Sequence, residues 1–163
     1  MIGTPTVSSA AQAAYYIAIC LALMAFSIYD IKTKRVPNWA LASFIPIVLC
    51  VLAVSDAPSF LIAFLRSLLG GLCGFGILLA AGLASKGGAG IGGGDIKLAG
   101  LVGFAFGPYG VTIILLLAAL LSAPVCLFFR LHQKSGPALH IPFVPFITAG
   151  CLFVTAANLL SLS

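Results

Sequence analysis

Apolar blocks follow one another along most of the chain, over residues of about 11–29, 39–55, 60–84, 95–107, 109–129 and 141–160, each ended by glycine, proline or a charged residue. An α-helix needs about 20 such residues to cross the hydrocarbon of a bilayer. The pattern therefore predicts an all-α, polytopic membrane protein with about six transmembrane helices, the fourth unusually short. A water-facing globule is excluded by composition, because 62% of the 163 residues are hydrophobic and only 7% are charged, against about a quarter charged in soluble domains. The mean hydropathy of +1.24 agrees. So little chain lies between the blocks that no sizeable soluble domain fits.

Charge placement supplies the orientation. Lys32, Lys34 and Arg35 follow the first block, Lys86 and Lys97 flank the junction of the third and fourth, and Arg130 and Lys134 follow the fifth. These are alternate connections, and positive loops stay in the cytoplasm. The opposite connections, around Ser55 to Ser59 and Gly107 to Gly110, carry no Lys or Arg, so both termini are expected outside. Arg66 falls inside the third block near its outer end and reads as a snorkelling side chain. The net charge of +5 is spread among apolar blocks and makes no basic patch. A nucleic-acid partner is not expected; the surroundings are the lipid bilayer. No positive residue precedes the first block, which reads as a retained span rather than a signal peptide. Cys20, Cys50, Cys73, Cys126 and Cys151 lie in apolar stretches with no C-x-x-C pair, and read as small apolar fillers rather than metal ligands or disulfides.

The acidic inventory is three residues, all aspartate: Asp30, Asp56 and Asp95. Asp56 sits in a polar outer connection near Pro58, as a solvated carboxylate or helix cap. Asp30 closes the first apolar block and Asp95 opens the fourth, so by the loop assignment both lie at the cytoplasmic membrane boundary. Ionisable residues at bilayer depth are costly and point to function. Two carboxyls close together do not both ionise easily, so one keeps its proton while the other acts as a base, and water is activated with neither metal nor cofactor. Two other readings stand beside this one. The carboxylates are interfacial and pair with Lys32 and Lys97, or they belong to a proton-coupled transporter or channel subunit, a class that places its acids at mid-span. The run Ser85 to Gly94 is too rich in glycine to hold a helix in lipid and is expected to be a mobile cytoplasmic loop, whose part from Gly87 to Gly94 gates access to Asp95.

Asp30 followed by six residues and then Pro37 and Asn38, together with Gly92, Gly93, Gly94, Asp95, Ile96 and Lys97, resembles the paired signatures of the type IV prepilin peptidases, which are G-x-G-D intramembrane aspartyl proteases. The stretch Ile141, Pro142, Phe143, Val144, Pro145, Phe146 is similar to that family's final-helix segment. The resemblance implies a peptidase of the bacterial inner membrane that cleaves the leader from a prepilin or pseudopilin, in the setting of pilus assembly machinery. It implies Asp30 and Asp95 as the catalytic aspartates and Gly92 and Gly94 as the glycines of the motif. Gly93 lies between those two glycines, and Pro37, Asn38 and Lys97 match flanking positions, with a structural or substrate-guiding role. Larger members of the family add a cytoplasmic domain with two C-x-x-C pairs that methylates the new pilin terminus. That domain is absent from this pattern, which reads as a single peptidase domain over residues 1–163 of the kind found with tight-adherence pili. Which aspartate is base and which acid stays open, because a coupled pair shares its protons.

Overall fold

The computed structural model describes residues 9–33, 38–54, 57–84, 92–132 and 143–162. They form five helices and, among the described residues, no strand: α1 (Ser9–Thr33), α2 (Asn38–Val54), α3 (Ala57–Ala84), α4 (Gly93–His132) and α5 (Val144–Leu162). Phe60–Ala84 and Gly93–Phe128 are long and apolar enough to cross a membrane, and Ala14–Asp30 and Val144–Asn158 are shorter apolar helices. Their outer faces are as apolar as their inner ones. Ile62 is 71% exposed, Leu83 78% and Leu120 63%, and apolar surface of this extent is sustained by lipid rather than water. Over its described residues the protein is an all-helical membrane protein.

The fourth and fifth apolar blocks, expected as separate helices with a connection at Gly107 to Gly110, are one element broken at a single residue. Gly107 has φ 73° and ψ 177° inside α4, a backbone state that a side chain disfavours. Pro108 follows it and starts the second arm, where the absence of an N–H costs nothing. The Thr112 hydroxyl donates to the Pro108 carbonyl at 2.8 Å and tightens the new first turn. The bend is sharp. A Cβ on Gly74 would touch both Ala99 and Val111, whereas an unbroken helix would hold residues 99 and 111 about 18 Å apart. The chain therefore folds back on itself at Gly107, and residues 93–106 and 108–132 form two arms. The expected connection shrank to one residue because glycine followed by proline completes the reversal locally. The Arg66 side chain lies over this break, with Nε 3.2 Å from where a Gly107 Cβ would stand.

Helices in lipid gain nothing from burying apolar surface against each other and associate through close packing. The tightest seam joins α3 to the first arm of α4. A Cβ on Gly70 would collide with the Gly103 carbonyl, one on Gly103 with the Gly70 carbonyl, and one on Gly74 with the Ala99 carbonyl. Gly70 and Gly74 are four residues apart, as are Ala99, Gly103 and Gly107, so each helix presents a smooth stripe that lets the backbones meet. Through α4 the seam joins the core: Leu98, Val102 and Phe106 on the first arm, and Val111, Ile114 and Ala118 on the second, are buried with Ile19, Leu23, Phe44, Ile147 and Cys151 of the other helices. Polar atoms clasp α5 to α1. The Thr148 hydroxyl is within 3.3 Å of the Leu23 carbonyl and 2.9 Å of the Val144 carbonyl, and Cys20 Sγ lies 3.3 Å from Thr155 Oγ1. Cys20 and Cys151 are buried and Cys73 and Cys126 exposed, all four as free thiols.

Candidate active site

Asp95 owes its position to the start of α4. Gly92 lies just outside the helix, and its carbonyl accepts the N–H groups of Asp95 at 3.0 Å and Ile96 at 3.3 Å. Gly93 and Gly94 are the first helical residues, so the helix opens two residues earlier than the sequence pattern suggests. Glycine costs about 1 kcal/mol against alanine in a helix interior, and these two stand only in its first turn. The rest of the arm, apolar and continuously packed, carries the helix. Asp95 thus stands in the first turn, half-buried, where the helix dipole stabilises a negative charge by about 0.3–1 kcal/mol.

Asp30 is held differently. It lies in the last turn of α1, only 4% exposed, and its Oδ2 is sealed from solvent. The dipole at a helix C-terminus opposes a negative charge, and removal of a carboxylate from water is costly. The two carboxyl groups therefore occupy opposite electrostatic settings: one at the positive end of a helix, the other enclosed at a negative end.

Lys97 has an exposed side chain and sits at one end of an apolar groove of about 440 Å³ between α2, α3 and α4. Leu41 and Ile45 of α2, Leu68 and Phe75 of α3, and Leu101 and Phe104 of α4 form its sides, with Gly71 and Gly100 between them. This groove was not legible in the sequence, since its lining is chemically the same as every lipid-facing surface of the chain. Among the described residues, nothing lies within 4 Å of where a Gly93 Cβ would be. Asn38 is the first residue of α2. Pro37, Asp56 and the part of the glycine-rich run from Ser85 to Ile91 lie outside the described residues. No group of three or more His, Cys, Asp or Glu able to hold a metal occurs among the described residues.

These features define a class of protein: a helical membrane protein with one carboxyl enclosed at the end of its first helix and another at a glycine-rich helix start. The profile of the Type IV leader peptidase family matches residues 17–127, which span both aspartates. The chain is also 31% identical over 134 residues to a prepilin leader peptidase/N-methyltransferase of Bacillus subtilis (strain 168), an alignment covering 80% of this chain and 50% of that protein. The chain belongs to the type IV leader peptidase family. It spans about half the length of the curated relative it matches. No solved structure matches it.

Proposed function

We propose that the chain is an intramembrane aspartyl endopeptidase that removes the leader from prepilins or pseudopilins at the cytoplasmic face of the bacterial inner membrane. Of the two activities in the name of the Bacillus relative, the leader peptidase is the one whose chemistry two carboxyls supply. The observation that carries the reading is the contrast between Asp30 and Asp95 within a chain of the leader peptidase family. Asp95, at the positive end of α4, is the ionised base that takes a proton from water as the water oxygen attacks the scissile carbonyl. Asp30, enclosed at the end of α1, is the protonated acid that gives its proton to the carbonyl oxygen. Collapse of the tetrahedral diol breaks the C–N bond: the leaving amine takes the proton that Asp95 had gained, and one diol hydroxyl returns its proton to Asp30 as the new carboxyl forms. Pro37, Asn38, Gly92, Gly93, Gly94 and Lys97 flank the pair and shape the approach of the peptide without moving protons.

Register along the helices supports a shared depth. Tyr16 of α1 stacks on Phe106 of α4 with ring centroids 5.5 Å apart. From that contact Asp30 stands about 21 Å further along α1 and Asp95 about 17 Å back along α4, at 1.5 Å rise per residue. Antiparallel helices in that register carry both carboxyls to one membrane boundary. With α4 folded at Gly107, the five helices make about six crossings and leave both termini outside, so the active end faces the cytoplasm and the pilus machinery.

Co-expression with a candidate prepilin tests the function, with leader removal read by gel shift. Cleavage by the wild-type chain is expected; a set of prepilins from its own host left whole would end the peptidase reading. In the same cells and in a cysteine-free background, thiol labels at Gly88 and Thr33 should react only from the cytoplasmic side and one at Ala57 only from outside. Labelling of Gly88 from outside would invert the proposed orientation.

A further inference from the structure

Arg66 is the only charged residue of the apolar stretch Phe60–Ala84 and lies about 9 Å of rise inside it. Its side chain is exposed. Ile62, Leu65 and Leu69 around it are 71%, 50% and 58% exposed, so the guanidinium shares a lipid-facing surface, where a charge is costly unless it reaches an anion or water. The fold directs it to the end of the first arm of α4. Arg66 Cγ and Nε lie 3.5 Å and 3.2 Å from where a Gly107 Cβ would stand, and Tyr16, stacked on the neighbouring Phe106, is within electrostatic reach of the charge. Helices α1, α3 and α4 thus meet at one cation. Neither carboxyl of the described residues stands near it, since Asp95 is about 18 Å from Gly107 along the arm and Asp30 about 21 Å from Tyr16 along α1.

The arm of residues 93–106 is about 21 Å long at 1.5 Å per residue, whereas the hydrocarbon of a bilayer is about 30 Å thick. A segment this short is accommodated by thinning of the bilayer and by snorkelling residues at its end. Arg66 stands at that end. We propose that Arg66 holds the phosphate of a phospholipid in the leaflet opposite the aspartates, drawing the headgroup down onto the reversal at Gly107. The planar guanidinium fork takes two phosphate oxygens at once, and Tyr109, two residues past the reversal and 77% exposed, brings a hydroxyl donor to the same end of the bundle. The net negative charge of an anionic phospholipid favours it over a zwitterionic one. The site stands independently of the peptidase reading, and only the name of the leaflet, outer, follows from the orientation proposed above.

The test follows lipid retained by the purified chain in detergent, read by native mass spectrometry, with dioleoylphosphatidylglycerol as the probe. The wild-type chain should keep this lipid and melt at a higher temperature in its presence. Arg66→Gln should bind it at least about ten-fold more weakly, a loss of about 1.4 kcal/mol, and melt at the same temperature with or without it. Should Arg66→Gln accumulate poorly, Arg66→Lys keeps the charge without the fork and is expected to retain less lipid than the wild type. Dioleoylglycerol, with the same acyl chains and no phosphate, should leave wild-type melting unchanged. Equal retention by the wild type and a well-expressed Arg66 variant, or a rise in melting temperature with dioleoylglycerol as large as with phosphatidylglycerol, would overturn the proposal. A rise of that size with inorganic phosphate alone would assign the site to a free anion and remove the lipid as its source. Asp56 is the rival partner that the sequence offers. Lipid retention that climbs in Asp56→Asn would make that carboxylate the counter-ion of Arg66 and overturn the lipid site as well.

Discussion

Asp30→Asn and Asp95→Asn should each abolish leader removal while the protein still inserts and accumulates. Loss of a general acid or base costs typically 10²–10⁴-fold, and an amide neither accepts water's proton nor donates one to the carbonyl oxygen. The cost to the fold is smaller. Asparagine has the shape of aspartate, and at Asp95 the lost charge–dipole interaction amounts to about 0.3–1 kcal/mol, too little to unfold a membrane helix packed along its length. Asp56→Asn is the matched control and should leave activity within about the few-fold range of an ordinary surface change. Near-normal processing by either Asp30→Asn or Asp95→Asn would remove that aspartate from the chemistry.

The second large effect is on stability. Gly70 and Gly103 oppose each other so closely that a Cβ on either would occupy the backbone of the other helix. Overpacking a well-filled interior costs about 1–3 kcal/mol and at times more. Here the obstructing atoms are backbone, which has no rotamer to escape into. Gly103→Val should therefore strip the folded protein from membranes, and Gly103→Ala should lower its melting temperature in detergent. Gly76, on the same helix as Gly70, and Gly93 have nothing among the described residues within 4 Å of a new Cβ. Gly76→Ala and Gly93→Ala should leave melting unchanged or raise it. Melting curves of the three alanine variants decide the matter, and a Gly103→Ala protein as stable as Gly76→Ala would contradict the seam.

Much of this architecture was legible before any coordinates. Apolar blocks mark helices because a chain in lipid must satisfy its backbone within each segment. The blocks end at the polar residues around Ser55, at the glycine run and at Gly107, where the helices or their arms also end. The scarcity of acid singled out Asp30 and Asp95, whose placement at a helix end and a helix start follows from the charge and glycine beside them. The seam was harder to see. Gly70, Gly74, Ala99, Gly103 and Gly107 have the four-residue spacing of contact stripes, but in a chain with 18 glycines spacing alone does not say which stripe meets which. The sharp reversal at Gly107, the clasp of Thr148 and Thr155 on α1, and the groove floor at Gly71 and Gly100 likewise depend on partners far away in the chain. Periodicity gave no help, since in helices apolar all round the lipid face and the packed face share one composition.

The central claim is that α1 and α4 deliver their carboxyls to a single site, and it is tested most directly by cross-linking the two positions. Asp30→Cys and Asp95→Cys are combined in a chain whose natural cysteines are replaced, and membranes are treated with a short bifunctional thiol reagent, the products being read by mass spectrometry. A bridge between residues 30 and 95, formed in competition with single labelling, is the predicted result. Both thiols modified singly and never bridged would place the aspartates apart and contradict the proposed pair.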